Sequence, residues 1–108
     1  MKTNQVLLIG YVGKDPQTTQ TTKGSKRICI RMATHYRRSN TAGEPSFQTV
    51  WHNVVAWDQK AEYAERNFIK GSKILVEGVI DYRNYPDKLG HTRYVTEIRA
   101  NSLLNLDR

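Results

Sequence analysis

Trp51 and Trp57 stand six residues apart in a segment, residues 48–57, whose apolar and β-branched composition reads as a strand. An even spacing puts both indoles on one face, about 20 Å apart at about 3.3 Å per residue. Asn53 lies between them on that face, while Val50, His52, Val54 and Ala56 occupy the other. Flat apolar rings so placed serve one of two ends. They pack into a core, or they form platforms for nucleobases, each stack contributing about 1–3 kcal/mol whatever the base. Alternation alone would turn the indoles inward, so both readings stand on spacing. Tyr85 has Asn84, Pro86 and Asp87 for neighbours, in what reads as a hairpin loop over residues 84–91. There a platform fits better than a core.

Base stacking without sequence preference also needs cations that follow the phosphates. The chain carries 17 Lys and Arg against 10 Asp and Glu, a net charge of +7. No acidic residue occurs between Asp15 and Glu44. That interval holds Lys23, Lys26, Arg27, Arg31, Arg37 and Arg38, a charge of +6. A single-sign patch of this kind attracts a polyanion through its field and through counterion release. A solvated basic surface is the plainer reading of the same residues.

Other chemistry finds little support. His35, His52 and His91 are isolated and lack metal-ligand spacing. Gly71-Ser72-Lys73 lacks the frame of a phosphate loop. Cys29 is the single cysteine, which excludes a disulfide within the chain, and it reads as a buried, inert thiol. No cofactor, metal or small-molecule substrate is expected, and no enzymatic activity. No run approaches the roughly 20 apolar residues of a membrane span, and the apolar start is too short for a signal-peptide core.

The elements that must position these residues follow from periodicity. Residues 4–12 read as a buried strand, and residues 18–24 as turn material. Residues 26–36 alternate, with Ile28, Ile30 and Met32 on one side and Arg27, Cys29 and Arg31 on the other. Residues 38–45 read as a loop before the third strand. Asp58 is placed as a helix N-cap, residues 59–69 as a helix, and Gly71 as its C′ glycine. Residues 73–82 form a fourth strand with a bulge or bend at Gly78, and residues 93–100 a fifth, with Tyr94 and Ile98 inward. Residues 101–108 trail off. At 108 residues this is one domain, residues 1–108, with one modest core. It reads as an all-β, five-stranded OB-fold barrel with one helix between strands three and four, an arrangement whose outer face and loops bind oligonucleotides.

Several segments in order resemble the bacterial single-stranded DNA-binding protein family. They are Asn4-Gln5-Val6-Leu7-Leu8-Ile9-Gly10 with Lys14-Asp15-Pro16, then Ala33-Thr34 and Trp51-His52-Asn53-Val54-Val55-Ala56-Trp57. Lys70-Gly71-Ser72, Val76-Glu77-Gly78, Arg83-Asn84-Tyr85, Gly90 and Arg93-Tyr94-Val95-Thr96-Glu97 follow. The likeness covers about residues 4–106. It implies a cytoplasmic, nucleoid-associated bacterial homotetramer that wraps single-stranded DNA nonspecifically and protects it in replication, recombination and repair.

The resemblance assigns base stacking to Trp51, Trp57 and Tyr85, and a further aromatic position falls on Tyr36 or Arg37. Phosphate contacts are expected from Arg27, Arg31, Arg37, Arg38, Arg83, Lys88 and Arg93. Tyr11 and Tyr63 are left to packing, and Tyr82 and Tyr94 lean the same way. His52 matches a subunit-interface histidine. The first strand is apolar on both faces, and Val6 and Leu8 are placed at the interface with it. Family members usually continue into a Gly/Pro/Gln-rich linker and an acidic tip. This chain stops at Asp107-Arg108, so tail-mediated protein partners are not expected from it. A tail-less primosomal accessory protein bridging single-stranded DNA and replication-restart proteins is the alternative, and native mass separates two subunits from four. An RNA-binding barrel of the cold-shock type lacks the helix.

Overall fold

A computed structural model describes residues 3–39 and 41–107. Its elements are β1 (Val6–Val12), β2 (Gln17–Gln20), β3 (Lys26–Ser39), β4 (Pro45–Trp57), α1 (Gln59–Asn67), β5 (Lys73–Pro86) and β6 (Thr92–Asn105). The strands run β1-β5-β6-β4-β3, and β1 returns to β3 through Tyr11↔Ala33 and Val12↔Met32. This closes a five-stranded barrel, the OB arrangement expected from the sequence. Closure removes the edges that five apolar strands would otherwise leave bare. It depends on Gly10, because a Cβ there would run into the Ala33 carbonyl.

The core follows the alternation. Ile28, Ile30 and Met32 of β3, Val54 and Ala56 of β4, Ile74 and Val76 of β5 and Ile98 of β6 are buried together. Ala61 and Ala64 of α1, with Phe68 just past its end, pack onto the same core. Tyr63 packs as expected, edge-on to Phe68 at 5.6 Å, and its hydroxyl accepts from the Asn105 N–H at 3.0 Å.

Several elements differ from the sequence reading. Residues 17–20, read mostly as turn, pair with β3 as the short edge strand β2. The β3 and β4 strands extend to Ser39 and from Pro45, so the loop between them is shorter than residues 38–45. The β5 strand runs on to Pro86, which puts Tyr85 on a strand and not in a loop. The β6 strand runs to Asn105, past a register shift at Glu77/Gly78 where the bulge was expected.

Asp58 holds the N-cap position of α1, its carbonyl accepting from the Glu62 N–H at 2.9 Å, but its side chain does not cap the helix. Asp58 adopts a positive φ of 53°, and its carboxylate accepts from the Lys26 N–H at 3.1 Å. The helix ends at Asn67, and Gly71 serves the following turn instead, its N–H donating to the Val12 carbonyl at 2.8 Å.

Both long hairpins, β3–β4 and β5–β6, reach beyond the barrel. There the side that is inward at the barrel has nothing opposite it. Tyr94, expected inward, is therefore 80% exposed, and Tyr82 and Ile80 are exposed on the same side. Tyr11 is also exposed, its ring centroid 6.2 Å from that of His35. In β1 the two faces have unequal roles. Val6 and Leu8, placed at a subunit interface from sequence, pack against this chain's own core, whereas Leu7 and Ile9 are exposed.

Candidate nucleic-acid interface

The outward faces of β3, β4, β6 and β5 form one continuous wall. Register fixes its membership. Val54 and Ile98 are paired and both buried, so their neighbours Val55 and Arg99 belong to the outer side. Alternation then places Arg27, Cys29, Arg31 and Arg37 of β3 on the wall, with Phe47, Trp51, Asn53 and Trp57 of β4. From β6 come Arg93 and Glu97, and from β5 Arg83 and Tyr85.

Trp51, Trp57 and Tyr85 are 48%, 39% and 42% exposed, which decides between core and platform: their rings lie at the surface. The buried side of β4 is the smaller one, Val54 and Ala56, because the barrel interior is already filled by Ile28, Ile30 and Met32. Trp51 rests on Gly13, where any side chain would collide with the indole.

Each ring carries an arginine. The guanidinium carbon of Arg31 lies 5.2 Å from the Trp51 ring centroid, that of Arg27 5.9 Å from Trp57, and that of Arg83 5.5 Å from Tyr85. These are cation–π distances. The arginines are also tied down by hydrogen bonds. Arg31 donates to Asn53 Oδ1 at 3.1 Å, Arg27 to Glu97 Oε2 at 3.0 Å, and Arg83 to Glu97 Oε1 at 2.9 Å. The bond to Glu97 raises the affinity of Arg83 for its proton above the ordinary guanidinium value. Cys29, expected to be buried, is exposed on this wall, and its Sγ accepts from Arg27 at 2.9 Å. A recess of about 220 Å³ lies between these groups, lined by Lys14, Gln17, Cys29, Asn53, Arg83 and Glu97 among others.

The remaining expected cations are more scattered. Arg93 donates to Asp87 Oδ2 at 2.8 Å, and the same carboxylate accepts the Leu89 and His91 N–H groups that shape the turn holding Lys88. Those donors hold the Asp87 carboxyl below the usual range, despite its desolvation. Arg37 lies on the wall opposite Phe47, whereas Tyr36 and Arg38 project to the reverse side of β3. Tyr36 is exposed there, away from Trp51. Phe47, 73% exposed on the Trp51 side, was passed over in the sequence because residues 38–45 read as loop and the strand was begun at residue 48. Its even spacing of four from Trp51 was the available signal.

His52 lies on the inner side of β4, partly buried. Its Nε2 is 2.8 Å from Thr34 Oγ1, and burial holds the imidazole below its ordinary pKa. Among the described residues no group of three or more His, Cys, Asp or Glu is placed to hold a metal ion, and no helix is long and apolar enough to cross a membrane.

A closed five-stranded barrel with its helix between β4 and β5 defines the class of an OB-fold protein. Residues 3–106 match the Single-strand binding protein family, and the chain belongs to that family, which comprises DNA-binding proteins and not enzymes. A single-stranded DNA-binding protein of Bacteroides thetaiotaomicron is 38% identical over 106 residues, covering 95% of this chain and 65% of the relative. Single-stranded DNA-binding protein 1 of Chlorobaculum tepidum is 33% identical over 96 residues, 88% of this chain and 59% of the relative. The chain thus spans less than two thirds of either.

Among solved structures, the Plasmodium falciparum SSB complex with ssDNA superposes with a TM-score of 0.86 at 26% identity, covering 99% of this chain and 97% of that one. A deletion mutant of the Thermus aquaticus single-stranded DNA binding protein gives 0.84 at 27% identity, covering 96% and 50%.

Proposed function

We propose that this chain, acting as one domain, binds single-stranded DNA without regard to sequence along the outer wall of β3, β4, β6 and β5. Bases stack on Trp51, Trp57 and Tyr85, with Phe47 as a further platform towards the tip of the β3–β4 hairpin. Phosphates pair with Arg27, Arg31, Arg37, Arg83, Lys88 and Arg93. The observation that carries this reading is the pairing of an exposed aromatic ring with an arginine three times over on one face. Nonspecific single-strand binding needs those two components and no cofactor. The likeness to a structure described as a complex with ssDNA supports it.

Tyr36 and Arg38, on the reverse side of β3, meet DNA only where the strand crosses the hairpin edge. A homotetramer is proposed with it. The exposed Leu7 and Ile9 of β1 supply its apolar contact and His52 is a further interface residue, while Val6 and Leu8 pack against the core. The cellular role proposed is protection of single strands during replication, recombination and repair, in the bacterial cytoplasm at the nucleoid.

The test is a titration of intrinsic Trp fluorescence with oligo-dT at several salt concentrations, with duplex DNA as control. Strong quenching by oligo-dT, little by duplex, and an affinity that falls steeply with salt are expected. No quenching, or equal binding to duplex, overturns the reading.

A further inference from the structure

The three ring-bound arginines are not held alike. Arg31 is anchored by Asn53, a neutral amide, so its charge is uncompensated by that bond. Arg27 and Arg83 share one carboxylate: each oxygen of Glu97 takes one guanidinium, at 3.0 and 2.9 Å. The Glu97 side chain is only 13% exposed, and those of Arg27 and Arg83 are 19% and 48% exposed. The bridge joins β3, β6 and β5, and through it two rings on different hairpins, Trp57 and Tyr85. Ion pairs shielded from solvent hold their geometry more firmly than exposed ones. The net charge of the three groups is that of one cation, not two.

We infer that Glu97 is a positioning residue that parks Arg27 and Arg83 on Trp57 and Tyr85, so that the free protein covers two of its own platforms and a bound strand must take the place of both guanidiniums. The inference rests on the DNA-binding reading for its last clause only. The parking is a property of the free protein. A strand that reaches this part of the wall exchanges cation–π contacts for base stacks of similar kind. The displaced guanidiniums turn to phosphate, and Glu97 is left facing the recess. The carboxylate therefore sets a cost on binding at Trp57 and Tyr85 that Trp51, under the Asn53-bound Arg31, does not carry. It also lowers the number of counterions that binding releases.

The test uses Glu97→Gln and Glu97→Asp. The first removes the charge. The second keeps it on a side chain one methylene shorter, which cannot span both arginines. In a Trp51→Phe background, where Trp57 is the single indole, acrylamide quenching of the free protein reads how well the ring is covered. Glu97→Gln raises this quenching markedly, and Glu97→Asp raises it part of the way. With both tryptophans present, Glu97→Gln binds oligo-dT several-fold more tightly at low salt and converges on the parent at high salt. The slope of log affinity against log salt steepens by about 0.7, one further phosphate neutralised on a single strand. Glu97→Asp keeps the parental slope.

A folded Glu97→Gln variant with unchanged Trp57 quenching and unchanged slope overturns the inference. So does a loss of affinity that is uniform across salt. Should Glu97→Gln fail to melt cooperatively, quenching in Glu97→Asp decides alone. Failure of the unmodified protein to bind oligo-dT sinks the DNA-binding reading, while the quenching of the free protein still tests the parking.

Discussion

The guanidinium of Arg31 lies 5.2 Å from the Trp51 ring centroid while its Nη1 donates to Oδ1 of Asn53, two residues beyond Trp51 on β4. Charge and ring thus occupy the same few ångströms of surface. A nucleotide offers the complementary pair, a phosphate and a base, at a similar separation. Gly13 backs the indole from within, which fixes the ring against the barrel.

Removing a platform should weaken binding without unfolding the protein. Trp51→Ala, Trp57→Ala and Tyr85→Ala are each expected to cost about 1–3 kcal/mol in oligo-dT affinity. Thermal melts should move little for Tyr85→Ala, which is far from the core, and more for Trp51→Ala, which leaves Gly13 uncovered. Equilibrium titration and melting of the same samples separate the two effects.

Side-chain parity makes a discriminating prediction at the hairpin tip. Phe47→Ala should lose affinity in the range of a lost stack, about 1 kcal/mol or more. Arg37→Ala should flatten the salt slope by about 0.7. Tyr36→Ala, on the reverse side of β3, should change oligo-dT affinity less than either. The three variants in one salt series check this, and a dominant effect at Tyr36 would place the strand on the other side of the hairpin.

His52 gives the stability of the protein a pH dependence. Burial lowers its pKa in the folded state, so the unfolded chain binds the proton more readily. Stability from this group is fully present above the unfolded imidazole value of about 6.5 and is lost below it, as pH falls through the lower folded value. The melting temperature should therefore fall as the pH is taken from neutral to below about 6.5. His52→Gln, which can still bond Thr34 but cannot titrate, should flatten that profile. Melting curves across the range read it directly.

The barrel was legible because its apolar alternation is strong and local. Ile28, Ile30 and Met32 announce β3, and Ala61, Ala64 and Phe68 announce the helix stripe. The hairpin arms were harder. Arg37, Arg38, Asn84 and Tyr85 belong to strands that have lost their core, and a strand without a buried face has no periodicity to read. The same lack of a covering layer exposed Tyr94, whose alternation with Ile98 is correct but whose depth is not. Trp51 and Trp57 were misdirected by parity alone, since large aromatics on one face ordinarily mark a core. The ring-over-arginine pairs needed three-dimensional register, and so did Glu97, whose two partners lie 70 and 14 residues away in the chain.

The two hairpins that overhang the barrel have a consequence for how such a protein can change. They stretch the molecule to 54 × 41 × 34 Å, while the buried residues stay confined to the barrel and helix. Lengthening or trimming an arm at its tip alters no core contact and leaves the side chains between the tip and the barrel on their faces. The reach of the binding wall can therefore drift through insertions at the tips, uncoupled from the residues that make the chain fold.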